Sequence, residues 1–335
     1  MIAALNTATP ELSSNLRAID PRRDMNQVAD LVELCFVDTL DSEGKDYIRQ
    51  IRRAANNPAY IHLAGAMGDR SPMPLAGFVW EENQRVVGNL TMIPYYPHAK
   101  LYYLIANVAV HPDWRRNGIA RSLTNKALEH AQNRGANVVW LHVREENQAA
   151  FSLYKSLGFK ENTRRTTWII QNSALELQQG QIPTLQRVNS VTTIRSRKNT
   201  DWTFQRKWLE QTYPPTLTWQ LSLNYRALQP GLRGVLHRFF FENQVKQWSL
   251  RNGSHLLGVV SYIKTNQYSD NLWLAIPPES EKLAVTRLLS YVCRRLPHHK
   301  LISLDYPAGR AVEALQEAGF AVHQTLVWMS LPLNL

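Results

Sequence analysis

The sequence predicts an α/β protein built as two tandem domains. The chain has 335 residues, and ordinary domains contain about 100–200 residues. Apolar patterns with the periods of strands and helices alternate along the first half, which is typical of a layered α/β fold. A polar segment at 171–190 interrupts this pattern, and the same plan recurs after it. We therefore expect domains at 1–170 and 191–335, joined by a linker at 171–190.

The composition supports a folded, water-soluble chain. Hydrophobic residues make up 44% of the sequence and charged residues 19%, which excludes a disordered, collagen-like or disulfide-rich protein. Two cysteines, Cys35 and Cys293, are too few for a disulfide framework. No apolar run approaches the ~20 residues that cross a bilayer, and the N-terminus lacks the pattern of a secretory signal. We expect a cytoplasmic protein.

The elements of the first half follow from apolar spacing. Short apolar runs bounded by polar turns predict strands, and apolar residues three and four apart predict helices. A glycine at the end of the third helix suits its C-terminal cap. The predicted elements are strand 16–19, helices 25–40 and 45–55, a hairpin of strands 76–80 and 86–93, strand 103–110, helix 119–135, strand 138–143, helix 149–157 and a final strand.

Three landmarks recur in the same order in the second half. Segment 86–93 aligns with 256–263, segment 109–112 aligns with 275–278, and the Gly-Phe pair at 158–159 aligns with that at 319–320. Small deletions bring them into register. This order predicts a tandem duplication.

The most informative segment runs from a strand, through a basic loop, into a helix that begins at Gly118. The first turn of such a helix presents unpaired N–H groups and a positive dipole end, so it attracts anions. Gly118 and Ala120 allow close approach to the backbone, and Arg115, Arg116 and Arg121 add positive charge. The segment predicts a phosphate site, and the alternative is an ordinary connection with a solvated basic loop.

Two motifs resemble those of the GNAT superfamily of N-acetyltransferases. Segment 115–120, Arg-Arg-Asn-Gly-Ile-Ala, is similar to the family's acetyl-CoA loop, Gln/Arg-x-x-Gly-x-Gly/Ala. Segment 147–159 is similar to the family pattern Asn-x-x-Ala-x-x-x-Tyr-x-x-x-Gly-Phe. The resemblance implies two domains, each with a mixed, splayed β-sheet flanked by helices, and acetyl-CoA as co-substrate.

The resemblance also implies roles for individual residues. Pantetheine would bond to the strand at Val108 and Val110, Asn147 would contact the CoA arm, and Tyr154 would protonate the leaving thiolate. A helix-face aromatic packed in the core is the alternative for Tyr154. The implied cofactor-binding residues are Val108, Ala109, Val110, Arg115, Arg116, Asn117, Gly118, Ile119, Ala120, Arg121 and Asn147.

His142 is the candidate base that would deprotonate an amine acceptor. It lies in the segment Leu-His-Val-Arg at 141–144, which resembles the corresponding segment of N-terminal amino-acid acetyltransferases, including the ribosomal-protein alanine type. A histidine titrates near neutrality, which suits base work. A hydrogen-bonded core histidine and a water chain are the alternatives, and Tyr102 and Tyr103 are further relay candidates.

The second half departs from the family pattern where the chemistry would be. Glu279 and Glu281 replace the arginines of the phosphate loop, Leu283 or Ala284 stands in place of Gly118, and Leu315 stands in place of Tyr154. We therefore expect 191–335 to be a degenerate GNAT-like domain without an acetyl-CoA site.

The sequence as a whole predicts an N-acetyltransferase that works by direct transfer in a ternary complex. The acceptor is a primary amine of a protein N-terminus, a lysine or a small molecule. The alternative is a non-catalytic acyl-CoA sensor. No metal is expected, because no tight cluster of ligand residues occurs. The formal net charge of +11 and the basic stretch 187–208 do not indicate nucleic-acid binding without a recognised motif. The oligomeric state stays open.

Overall fold

The computed structural model describes residues 15–40, 42–57, 76–170, 192–221, 223–231, 234, 244–266, 268–296 and 300–333. The chain divides into two compact units, one of Met1–Asn162 with Trp328–Leu335 and the other of Thr163–Val327. The predicted linker at 171–190 lies outside the described residues. Because the unit bounds fall at 162/163 and 327/328, the last strand of each half is divided between the units. The functions predicted for the two domains stay predictions.

Unit 1 contains the elements predicted for the first half. Its first helix begins where the sequence provides a cap, because the Asp20 carboxylate accepts a hydrogen bond from the Arg22 amide at 3.0 Å and Pro21 starts the helix. The elements are β1 (Leu16–Ala18), α1 (Pro21–Phe36), α2 (Ser42–Ala55), β2 (Gly77–Glu82), β3 (Arg85–Tyr95), β4 (Tyr102–Val110), α3 (Ile119–Asn133), β5 (Val138–Arg144), α4 (Gln148–Ser156) and the start of β6 (Lys160–Ile170).

The sheet of unit 1 opens between its fourth and fifth strands. Strands β1 to β4 are antiparallel neighbours, and β5 pairs with β4 in parallel. The parallel pairing runs only from Tyr102 with Val138 to Ile105 with Leu141. Because β4 continues to Val110 and β5 to Arg144, the two strands separate beyond this point. The mixed, splayed sheet is the predicted fold class.

Unit 2 repeats this plan. The elements are β7 (Thr192–Ser196), α5 (Trp202–Thr212), α6 (Pro215–Thr218), α7 (Tyr225–Leu228), β8 (Val245–Asn252), β9 (His255–Ile263), β10 (Ser269–Ala275), α8 (Glu281–Cys293), β11 (Leu301–Pro307), α9 (Val312–Glu317) and β12 (Ala321–Pro332). The strands lie in the order β6-β11-β10-β9-β8-β7, and β10 and β11 form the parallel pair.

Two glycines identify equivalent positions in the duplicated sheets. A Cβ atom at Gly88 of β3 would lie 2.7 Å from the Ile119 side chain of α3. A Cβ atom at Gly258 of β9 would lie 3.3 Å from Ala284 of α8. In both units the strand glycine lets the helix pack closely onto the sheet. The predicted repeat therefore has a structural counterpart, and the two GNAT-like halves are confirmed.

The final strands are exchanged between the repeats. Residues 165–170 of β6 pair with β11 in unit 2. The end of β12 lies beside β5 in unit 1, where the Leu333 amide donates to the Asn137 carbonyl at 2.9 Å. Each sheet is therefore completed by a strand that the other repeat encodes. No helix within the described ranges is both long enough and apolar enough to cross a membrane.

Candidate functional site

A cavity of about 510 Å³ lies in unit 1 where β4 and β5 separate. It brings together every predicted site residue except Asn117 and His142. The predicted residues that line it are Val108, Ala109, Val110, Arg115, Arg116, Gly118, Ile119, Ala120, Arg121, Asn147 and Tyr154. Residues that sequence reasoning did not assign to the site also line it, namely Cys35, Phe36, Trp114, Ala149, Ala150 and Leu153.

The end of β4 offers backbone groups to the cavity. The His111 amide donates to the Val87 carbonyl of β3 at 2.8 Å. The carbonyl of the same peptide group, that of Val110, therefore points away from β3. The Val110 carbonyl there accepts from Arg115 Nε at 3.1 Å and from Cys35 Sγ at 3.3 Å. An extended ligand could bond along this edge as an added strand does.

The N-terminus of α3 provides a cradle for an anion. Gly118 is its N-cap with φ 76°, and no side chain caps the helix. A Cβ atom at Gly118 would meet no described atom within 4 Å, so the backbone there faces open space. Arg116 also has a positive φ of 70°. The amides of the first turn and the flanking arginines therefore fit a pyrophosphate. Asn117 is exposed and lies outside the cavity lining.

Asn147 and Arg121 are held by contacts at the two ends of α4. The Asn147 Oδ1 atom accepts from the Ala150 amide at 3.0 Å and caps the helix. The Asn147 side-chain NH₂ group is not used by this cap and can serve as a donor at the cavity wall. Arg121 Nη2 donates to Ser156 Oγ at 2.8 Å. These contacts fix two polar groups of the cavity lining.

Tyr154 is both a packed aromatic and a wall of the cavity. Its ring packs edge-on against Phe159, with centroids 5.9 Å apart, and only 5% of the residue is exposed. Burial raises the pKa of the Tyr154 phenol above its usual range. The hydroxyl therefore stays protonated at neutral pH, the state that a general acid requires.

His142 lies on β5, one residue beyond Leu141, where pairing with β4 ends. It does not line the cavity. Its ring stacks on Trp328 of β12, with centroids 4.3 Å apart and planes 25° apart. The alternative relay residues lie at the other end of β4, where Tyr102 pairs with Val138 and Tyr103 packs against His130.

In the second unit, protein side chains occupy the corresponding cleft. Leu274, which aligns with Val108, donates its backbone amide to the hydroxyl of fully buried Tyr213 at 3.4 Å. At the start of α8, Glu281 accepts from the Tyr306 hydroxyl at 2.7 Å and from Arg310 at 2.5 Å. A backbone amide of the equivalent edge is therefore occupied here, and the first turn of the helix carries an acidic side chain.

An ion pair at the surface joins two helices of unit 2. Lys282 of α8 forms an ion pair with Glu313 of α9 at 2.8 Å. Leu315, the counterpart of Tyr154, is fully buried in the core. Across the described residues of both units, no group of three or more histidine, cysteine, aspartate or glutamate side chains could hold a metal ion.

A mixed sheet that opens beside a basic helix start defines the GNAT class of fold that the sequence predicts. Comparison with known proteins agrees. Residues 27–159 match the acetyltransferase (GNAT) family. Over 62 residues the chain is 44% identical to the ribosomal protein bS18 alanine N-acetyltransferase of Escherichia coli, covering 18% of this chain and 42% of that enzyme.

Two further proteins share sequence or architecture with the chain. It is 39% identical over 92 residues to the mycothiol acetyltransferase of Thermobifida fusca, covering 28% of this chain and 27% of that protein. The tandem GNAT protein from the clavulanic acid biosynthesis pathway superposes with a TM-score of 0.50 at 15% identity, covering 95% of this chain and 98% of that one.

These findings establish family and fold. Residues 27–159 belong to the GNAT family of acetyltransferases, and the chain as a whole has a tandem GNAT fold. The chain aligns with less than half the length of either curated relative. The predicted family and fold class are confirmed.

Proposed function

We propose that the chain is an acetyl-CoA-dependent N-acetyltransferase that transfers the acetyl group directly to a primary amine. The observation that carries the proposal is the cavity of unit 1, because it gathers the end of β4 that β5 does not pair with, an uncapped helix start and a buried phenol. These groups suit the thioester arm, the pyrophosphate and the leaving thiolate of one acetyl-CoA molecule.

Direct transfer requires the amine and the thioester to be held together. Proximity then supplies much of the rate, because a bimolecular reaction becomes effectively unimolecular. The amine attacks as its neutral form, so a base or water must accept its proton, and His142 is the candidate on β5. As the thioester carbon–sulfur bond breaks, Tyr154 gives its proton to the sulfur.

A protein amine is the favoured acceptor. The segment 141–144 resembles that of the ribosomal-protein alanine enzymes, and the relative from Escherichia coli is named for that reaction. A small-molecule amine is the second candidate, since the mycothiol acetyltransferase also aligns with this chain.

A panel assay distinguishes an enzyme from a sensor. We expect the full chain, given acetyl-CoA, to release free CoA thiol in proportion to an added amine. The panel contains peptides with free α-amines, the same peptides with a blocked α-amine and one lysine, and small amines. Mass spectrometry identifies the acetylated product. Saturable acetyl-CoA binding without acetylation of any member would favour the non-catalytic sensor.

The contacts in unit 2 predict one acetyl-CoA site per chain. Tyr213 holds a backbone amide of the edge that a second cofactor would need, and Glu281 places an acidic side chain in the first turn of α8, where it would repel a pyrophosphate. Isothermal titration of the full chain should therefore give a molar ratio of 1. A ratio of 2 would contradict the expected loss of the cofactor site from 191–335.

A further inference from the structure

The last strand of the chain places an aromatic ring on the candidate base of unit 1. The indole of Trp328 stacks on the imidazole of His142, with ring centroids 4.3 Å apart and an angle of 25° between the planes. Trp328 is 4% exposed. Although the two residues are far apart in the sequence, both belong to unit 1.

Contacts along the strand fix the position of this ring. The Leu333 amide donates to the Asn137 carbonyl at 2.9 Å, and Ser330 Oγ accepts from Asn162 Nδ2 at 2.8 Å. Because Leu333 lies beside Asn137 and Trp328 lies beside His142, the end of β12 runs antiparallel to β5. A cross-strand pair of rings in this register restricts the orientation of both side chains.

His142 projects from the face of the sheet on which α1 lies. Alternate residues of a strand share a face, so His142 and Arg144 project on the same side. Arg144 Nη2 donates to the Thr39 carbonyl at 3.0 Å, immediately beyond α1. The last turn of α1 carries Cys35 and Phe36, which line the cavity. His142 therefore projects from β5 toward the α1 side of the opening.

We propose that Trp328 is a positioning residue for His142, so that the strand encoded at the end of the chain completes the acceptor side of the active site in unit 1. This inference rests on the proposed acetyltransferase function. The His142 imidazole needs one orientation to take a proton from the incoming amine. The stacked Trp328 indole excludes other orientations of that ring, and it adds no charge to the site.

A double-mutant cycle tests the inference. In the wild-type background, Trp328→Leu should lower kcat for the best amine of the panel by about tenfold, and Trp328→Phe, which keeps an aromatic ring, by less than about threefold. In the His142→Gln background, Trp328→Leu should change kcat by less than about twofold, because the residue it positions is gone. The KM for acetyl-CoA should stay within about twofold throughout.

The buried Trp168 of unit 2 supplies the matched control. It is 2% exposed, and Trp168→Leu also removes a core indole. Trp168→Leu should change kcat by the same factor in the wild-type and His142→Gln backgrounds. If Trp328→Leu does not fold, the NMR measurement below still tests the inference.

The stack can also be detected without turnover. The His142 ring protons of the wild-type protein should resonate upfield of those in Trp328→Phe, because a stacked indole shields them more strongly. The inference would be overturned if Trp328→Leu changed kcat by the same factor in the two backgrounds, or if the ring-proton shifts of His142 did not change. Either result would leave the proposed function intact. Absence of turnover in the wild-type protein would overturn the proposed function and this inference with it.

Discussion

Replacing Tyr154 by phenylalanine is expected to lower kcat by about 10²- to 10³-fold, the contribution typical of one general acid. The change removes only the hydroxyl and keeps the ring that packs on Phe159. Acetyl-CoA affinity should therefore stay within about twofold of the wild-type value. Steady-state kinetics and isothermal titration of the same preparation measure the two quantities.

The pH profile provides a second measure of the same residue. Burial raises the pKa of the Tyr154 phenol, and an acid catalyst acts in its protonated form. Wild-type kcat should therefore show no alkaline loss from this group up to about pH 10, the ordinary tyrosine pKa. The rate can still increase with pH across this range, because more of the amine acceptor is in its neutral form.

Tyr262 supplies the control for loss of a buried hydroxyl. It is 3% exposed, and its hydroxyl bonds to Asp270 in unit 2. Tyr262→Phe should reduce stability while leaving kcat near the wild-type value. Unchanged turnover of Tyr154→Phe, measured where chemistry limits the rate, would leave Tyr154 as a packing residue only.

The order of elements in the first half could be predicted from the sequence because its apolar periods are strong. The helix over 119–135 and the strand over 138–143 were expected almost where α3 and β5 lie. The cavity lining was predicted where a motif marks it, from Arg115 to Arg121, except that Asn117 lies outside it. Cys35 and Phe36 were missed because an apolar residue of an amphipathic helix has the same pattern whether it meets the core or a cleft.

The exchange of the final strands could not be predicted. Both β6 and β12 follow a Gly-Phe pair, and the pattern of either indicates a strand without specifying its neighbour. Partner choice depends on packing between distant parts of the chain. One consequence concerns the predicted boundary at residue 170, since a fragment of 1–170 lacks the β12 residues that lie beside β5.

Gly118→Val is expected to weaken acetyl-CoA binding by about 100-fold or more. The glycine has φ 76°, and its missing side chain points into space that no described atom occupies within 4 Å. Valine would place two methyl groups over the first amides of α3, where the pyrophosphate is expected. Loss of two charge-assisted hydrogen bonds, each about 1.5–3 kcal/mol, accounts for the magnitude. Isothermal titration measures the dissociation constant.

Gly135 allows the steric effect to be separated from backbone strain. It follows the other end of α3 with φ 70°, and its Cβ atom would likewise meet nothing within 4 Å. A side chain in this left-handed region costs about 1–2 kcal/mol at either position. Both valine variants should therefore lose similar stability in thermal unfolding, and only Gly118→Val should lose acetyl-CoA. Wild-type affinity in Gly118→Val would place the cofactor elsewhere, and an equal loss in both variants would assign the effect to the strained backbone.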